Sequence, residues 1–99
     1  MNIQKMMAEA QRIQATLKKK MDEFDATEFE YSYQNYVTVK IMGDLKIVDI
    51  QINKDIIDPE DPDTLQDLMI EALNKAIIET TEKKNNIAKS LAPGLNGMI

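Results

Sequence analysis

The sequence predicts an α+β protein, a single domain over residues 1–99: a long first helix, a three-stranded antiparallel β-meander and a long second helix. Three observations predict it. Apolar side chains recur three and four apart up to Phe24, alternate every second residue between Glu28 and Ile52, and return to helical spacing after Asp61-Pro62. A chain of this length holds one core, since folded domains usually run to about 100 to 150 residues.

The first helix is expected over about residues 2–24, with Ile3, Met6, Met7, Ala10, Ile13, Leu17, Met21 and Phe24 on one face and neither Gly nor Pro to interrupt it. Ile3, Ala10, Leu17 and Phe24 repeat every seven residues, which also suits a narrow, Met-rich seam with a partner helix. Strands are expected over about 28–33, 36–42 and 45–52. Phe29, Tyr31 and Tyr33, then Val37, Val39 and Ile41, then Val48, Ile50 and Ile52 form the apolar face, while Glu28, Glu30, Ser32, Thr38, Lys40, Asp49 and Gln51 meet water. Gln34-Asn35 and Gly43-Asp44 separate the strands, and Gly at the first central position suits a two-residue type II′ hairpin. Leu45 and Ile47 break the alternation, as a second covering surface would explain.

The second helix is expected over about 62–91. Asp61 can cap it, and Pro62 is tolerated at its first position because no amide donor is needed there. Leu65, Leu68, Met69, Ala72, Leu73, Ala76, Thr80, Ile87 and Leu91 follow on or near one face, up to Pro93-Gly94. The run Glu82-Lys83-Lys84-Asn85-Asn86 interrupts the stripe, either where the helix leaves its own core or where it breaks. At 1.5 Å per residue the two helices span roughly 35 and 40 Å, whereas a compact chain of this size has a radius of gyration of about 13 Å. The helices must overhang, and a second copy of the chain is the simplest cover for their apolar stripes.

Composition narrows the function. With 43% hydrophobic and 29% charged residues the chain is neither membrane-embedded nor disordered in character, and no run of about 18 apolar residues suggests a span, so a cytoplasmic protein is expected. There is no Cys and no His, which removes thiol nucleophiles, thiolate metal sites, and the commonest general base and transition-metal ligand. No enzyme activity, metal, cofactor or small-molecule substrate is expected. The net charge of −5 conceals a segregation: residues 1–20 carry Lys5, Arg12, Lys18, Lys19 and Lys20 against Glu9, and residues 82–99 carry Lys83, Lys84 and Lys89 against Glu82. The ends are therefore net +4 and +2, and the middle, residues 21–81, is −11.

Lys5, Arg12 and Lys19, seven apart, line one helical flank and are thickened by Lys18 and Lys20. Such a stripe is most often a solvated outer face, but two copies would double it into a surface for phosphates, with counterion release to drive binding. Lys83 and Lys84 sit near the overhanging end of the second helix, and Lys89 near its C-terminus, where a cation also complements the helix dipole. Asp55, Asp58, Glu60, Asp61 and Asp63 lack the ligand spacing of a calcium loop and read as turns and caps. Phe29, Tyr31 and Tyr33 read as core or interface rather than as base-stacking platforms, and Tyr36 fits neither account well.

Three stretches carry a resemblance over nearly the whole chain: residues 2–7 with Ala10-Gln11-Arg12-Ile13-Gln14; Asp58-Pro59-Glu60-Asp61 with Leu65-Gln66-Asp67-Leu68 and Ala72-Leu73-Asn74-Lys75-Ala76; and Pro93-Gly94-Leu95. Together they resemble the YbaB/EbfC family of bacterial nucleoid-associated proteins. The resemblance implies an intertwined homodimer with helical arms that grip duplex DNA, little sequence specificity, and a role in nucleoid organisation or gene regulation. In place of the family's Gly-rich stretch between the first two strands stands Glu30-Tyr31-Ser32-Tyr33-Gln34-Asn35-Tyr36, a stiffer hairpin.

The sequence thus points to sequence-tolerant duplex binding by a dimer, with Lys5, Arg12, Lys18, Lys19, Lys20, Lys83, Lys84 and Lys89 neutralising phosphates. The competing expectation is a dimeric protein-interaction module whose Met-rich helical grooves receive a partner helix.

Overall fold

The computed structural model describes residues 2–91, in the order α1 (Ile3–Asp25), β1 (Glu28–Tyr33), β2 (Val37–Met42), β3 (Ile47–Ile52), a single 3-10 turn (Lys54–Ile56) and α2 (Pro62–Leu91). The third stretch of the resemblance, Pro93-Gly94-Leu95, lies outside the described residues. Both helices start on side-chain caps. Asn2 Oδ1 accepts from the Lys5 amide at 3.1 Å, and Asp61 Oδ1 accepts from the Thr64 amide at 3.3 Å while Asp61 Oδ2 accepts from the Thr64 hydroxyl at 2.6 Å. One more of the acidic side chains serves the turn before α2, Asp58 Oδ1 accepting from the Glu60 amide at 2.9 Å, whereas at Asp55 the capping side chain is Asn53, whose Oδ1 accepts from the Asp55 amide at 2.9 Å.

The sheet is an antiparallel meander in the order β1-β2-β3. Phe29 pairs with Ile41, Tyr31 with Val39 and Tyr33 with Val37, so these side chains share one face. On it lies α2, over β1 and β2. Val37, Val39, Ile41 and Ala76 are fully buried there, together with Ala72 and Tyr31. Each large aliphatic side chain removed from water in this way contributes about 1.5 to 3 kcal/mol. The two alanines let the helix approach the central strand closely. Two side-chain bonds then fix its rotation: Lys75 Nζ donates to the Ser32 carbonyl at 2.9 Å, and the buried Thr80 hydroxyl donates to the Tyr31 hydroxyl at 3.4 Å.

Both hairpins differ from the sequence expectation in detail. β2 begins at Val37 rather than at 36, because Gln34 and Asn35 both take left-handed conformations (φ 51° and 60°) and the Tyr36 amide closes the turn onto the Tyr33 carbonyl at 3.0 Å. The predicted type II′ turn at Gly43-Asp44 does not form, since no glycine among the described residues has positive φ. Instead Leu45 donates to the Met42 carbonyl at 2.8 Å, Leu45 takes the left-handed conformation (φ 73°), and the Met42 amide donates to the Lys46 carbonyl at 2.8 Å. This is a three-residue loop, which starts β3 at Ile47 rather than at 45. Gly43 is required for another reason: a Cβ there would lie 1.9 Å from the Phe24 carbonyl oxygen, so the end of α1 rests directly on the hairpin.

A bulge at Lys40/Ile41 explains why Ile47 broke the alternation. It pairs Ile47 with Ile41 while Ile50 keeps Val39 and Ile52 keeps Val37, so Ile47, Ile50 and Ile52 share the α2 side and Val48 is displaced to solvent. Since α2 lies over β1 and β2, Ile50 on that face remains 36% exposed.

Candidate nucleic-acid interface

Thr80 is the last fully buried residue of α2, yet the helix runs on unbroken to Leu91, so the Glu82-Lys83-Lys84-Asn85-Asn86 run marks departure from the core and no break. Past that point α2 runs beside α1 in the opposite direction. At one end Lys84 Nζ meets Asp25 Oδ1 at 3.1 Å, and at the other Leu91 shares a shallow groove with Arg12, Ile13 and Thr16. The two helices form an arm, and the first turns of α1 extend beyond it. The described chain measures 71 × 24 × 15 Å with a radius of gyration of 19.4 Å, well above the roughly 13 Å of a compact chain of this length. The overhang expected from helix length is therefore present.

Aromatic packing sets the arm's root. Phe24 lies with its ring centroid 5.1 Å from that of Phe29, beneath the Gly43 contact. Lys83 Nζ stands 4.6 Å from the Phe29 ring centroid and 4.9 Å from that of Tyr31, a cation over two aromatic faces. Phe29, Tyr31 and Tyr33 are thus core and arm-root residues, while Tyr36 sits exposed in the hairpin turn.

The cations named from sequence fall on this arm. Lys5, Arg12 and Lys19 lie along one exposed flank of α1, since a seven-residue step returns a side chain to within about 20° of the same direction. Lys18 and Lys20 flank them, also exposed. Lys89 lies within a turn of Leu91, on the outer part of the arm, whereas Lys83 and Lys84 lie at its root. Among the described residues, four of the eight engage other groups. Arg12 meets Glu9 at 3.6 Å, Lys18 meets Asp22 at 2.7 Å, Lys84 meets Asp25, and Lys83 covers the aromatic pair. The hydrogen bond and charge of Asp22 raise the Lys18 pKa above its ordinary value, so it stays a cation.

The carboxylates are distributed oppositely. α1 carries its cations up to Lys20 and then, in its last turn, Asp22, Glu23 and Asp25 with no basic residue. The outer face of the sheet presents Glu28, Glu30 and Asp49, with Lys40 in register opposite Glu30 on one neighbouring strand and Asp49 on the other. Sequence reasoning missed the carboxylate partners. Glu9–Arg12 and Lys18–Asp22 were legible as spacings of three and four along a helix, but Asp25–Lys84 joins residues 59 apart and needed the fold.

These features define a class: a small α+β protein in which a two-helix arm, cationic along its outer length, projects from an acidic sheet. Comparison with known proteins makes this particular. The chain belongs to the YbaB/EbfC DNA-binding family, whose model matches residues 1–95. It is 43% identical over 93 residues to a nucleoid-associated protein of Malacoplasma penetrans, covering 94% of this chain and 99% of that one. A nucleoid-associated protein of Ureaplasma parvum is 42% identical with both chains covered in full, and one of Ligilactobacillus salivarius is 41% identical over 96% of this chain and 95% of its own.

Proposed function

We propose that this protein is a nucleoid-associated protein that binds duplex DNA with little sequence specificity, as a homodimer, in nucleoid organisation or gene regulation. One observation carries the reading beyond family membership: eight of the twelve Lys and Arg residues lie on the projecting arm, while Glu9 is the one carboxylate on its outer length and the others lie at its root, on the sheet and its loops, in the turn before α2 and along α2. A duplex is drawn to the arm and repelled elsewhere, and each phosphate neutralised releases counterions. Lys5, Arg12, Lys18, Lys19, Lys20, Lys83, Lys84 and Lys89 are the residues assigned to phosphate. Side chains that reach only the backbone carry no base readout, which is why specificity is low. No step of this function calls for turnover, a cofactor or a metal.

The homodimer is supported by apolar surface that one chain leaves uncovered. Met6 and Met7 on α1 are 57% and 58% exposed, and Ile50 on the inner face of β3 and Ile70 and Ile77 on α2 are exposed as well. A second copy related by a twofold axis covers such surface at low cost and sets two arms on one molecule. The exposed methionines are also the observation that favours the second reading, a groove for a helix of another protein.

The test is a gel-shift series on random-sequence duplex at several salt concentrations, with Lys18, Lys19 and Lys20 all changed to Glu. The triple variant is expected to bind far more weakly and to lose about 0.9 from the slope of log affinity against log salt for every phosphate contact removed. Parent-like binding and parent-like slope remove these residues from the site. Capture of a protein partner insensitive to salt, with no duplex shifted, favours the second reading.

A further inference from the structure

The last turn of α1 runs against the electrostatics of its own helix. The C-terminal carbonyls amount to roughly half a negative charge, which favours cations there, yet this turn holds Asp22, Glu23 and Asp25 and no basic residue. Asp25, the final residue, therefore gains nothing from its helix. What it does have is Lys84, across the arm from α2, with Nζ 3.1 Å from its Oδ1. Of the three ion pairs among the described residues, this alone joins two elements. It is also the least exposed, at 42% and 37% for the two side chains, whereas the partners in Arg12–Glu9 and Lys18–Asp22 are 60% exposed or more. Those outer pairs are solvated and exchange partners at almost no cost. Asp25–Lys84 is held at the root by the packing of Phe24 on Phe29 and Gly43.

An ammonium is a compact point charge, and a carboxylate oxygen offers it the same charge-assisted hydrogen bond that a phosphate oxygen does. We propose that Asp25 is a built-in competitor for nucleic-acid phosphate: its carboxylate holds Lys84 at the arm's root and must be displaced before Lys84 can bind a duplex. Asp25 thus restrains the affinity of the arm. The inference rests on the DNA-binding reading above and adds to it a residue that opposes binding. The device confines phosphate contact first to the outer cations and brings in the root only when a duplex is seated deeply enough to exchange one anion for the other.

The experiment measures fluorescence anisotropy of a labelled random-sequence duplex with the full chain at about 0.1 M salt, where the Debye length is about 10 Å. Asp25→Asn keeps the shape and removes the charge. Glu23→Gln removes the same charge two residues away, from a side chain with no ion-pair partner among the described residues. Lys84→Met and the Asp25→Asn/Lys84→Met double variant complete a cycle. Asp25→Asn is expected to tighten binding about three- to five-fold per arm, the upper range for a part-exposed pair, and Glu23→Gln by less than about 1.5-fold. In the Lys84→Met background Asp25→Asn should give no more than Glu23→Gln does. Asp25→Ser is measured alongside, each variant with its thermal melt, so that loss of fold in one leaves the other to decide. Equal gains from Asp25→Asn and Glu23→Gln, or a gain that persists without Lys84, overturn the inference while leaving the function standing. A parent chain that binds no duplex overturns the function and this inference with it.

Discussion

Replacing Gly43 by Ala tests whether the end of α1 is seated on the β2–β3 hairpin. The added Cβ would lie 1.9 Å from the Phe24 carbonyl oxygen, 2.6 Å from its carbonyl carbon and 2.6 Å from its ring Cδ1. Two of these are backbone atoms, so no rotamer change relieves them and the helix end itself must shift. Overpacking of this kind costs about 1 to 3 kcal/mol, and a backbone obstacle places it near the upper end. The shift also strains the bond from the Gly43 amide to the Thr27 carbonyl at 2.9 Å, worth about 1 kcal/mol. Against this, Gly43 has no positive φ, so Ala adopts its backbone freely and gains about 0.4 to 1 kcal/mol through the unfolded chain. The net loss is about 2 to 3 kcal/mol, and for a domain of this size each kcal/mol moves the Tm by about 4 to 8 °C. Gly43→Ala should therefore melt at least about 8 °C below the parent by circular dichroism at equal chain concentration. A Tm within about 2 °C of the parent's would show that α1 does not rest there and that the arm's root is set by something else.

Substitutions at two further positions address other elements. Leu45→Gly and Leu45→Ala both remove a part-buried side chain, 42% exposed, but only Gly relieves the left-handed conformation at φ 73°, which costs an L-side chain about 1 to 2 kcal/mol. After about 0.4 to 1 kcal/mol of added unfolded-state entropy, the Gly variant should melt a few degrees above the Ala variant, and a Gly variant that melts below it would refute the left-handed turn assignment. Ile50→Glu places a charge on the uncovered inner face of β3, where one chain tolerates it and a dimer seam does not. Light scattering should then report a single-chain mass with helical circular dichroism retained; an unchanged two-copy mass would move the seam elsewhere.

The sequence carried the elements because each obeys its own period. The three-and-four spacing up to Phe24, the alternation through Val37, Val39 and Ile41, and Asp61-Pro62 at the start of α2 are local signals, and the structure has all of them. Details set by tertiary contact were not legible. Gly43 looked like a turn former with positive φ, whereas its role is to admit the backbone of a helix end that local sequence does not place beside it. The bulge at Lys40/Ile41 turned the misfit at Ile47 into a core position, and Leu45 took the strained turn position that Gly43 had been given. For the candidate site, charge segregation and helix length were readable, and so were the cations along α1. The partners of the α2 cations were not: Lys84 meets Asp25 because α2 runs back along α1, and Lys83 covers Phe29 and Tyr31 because α2 lies over β1.

A two-copy molecule that holds duplex DNA through cations gathered on its arms must release it as salt screens those cations. Light scattering of the protein mixed with random-sequence duplex, repeated from low to physiological salt, reads mass and retention together. Complexes with two chains per binding unit should dissociate steeply as salt rises, by about 0.9 in log–log slope per phosphate held. A two-copy protein that leaves the duplex free in dilute buffer, or holds it equally well at every salt concentration, contradicts this mode of binding.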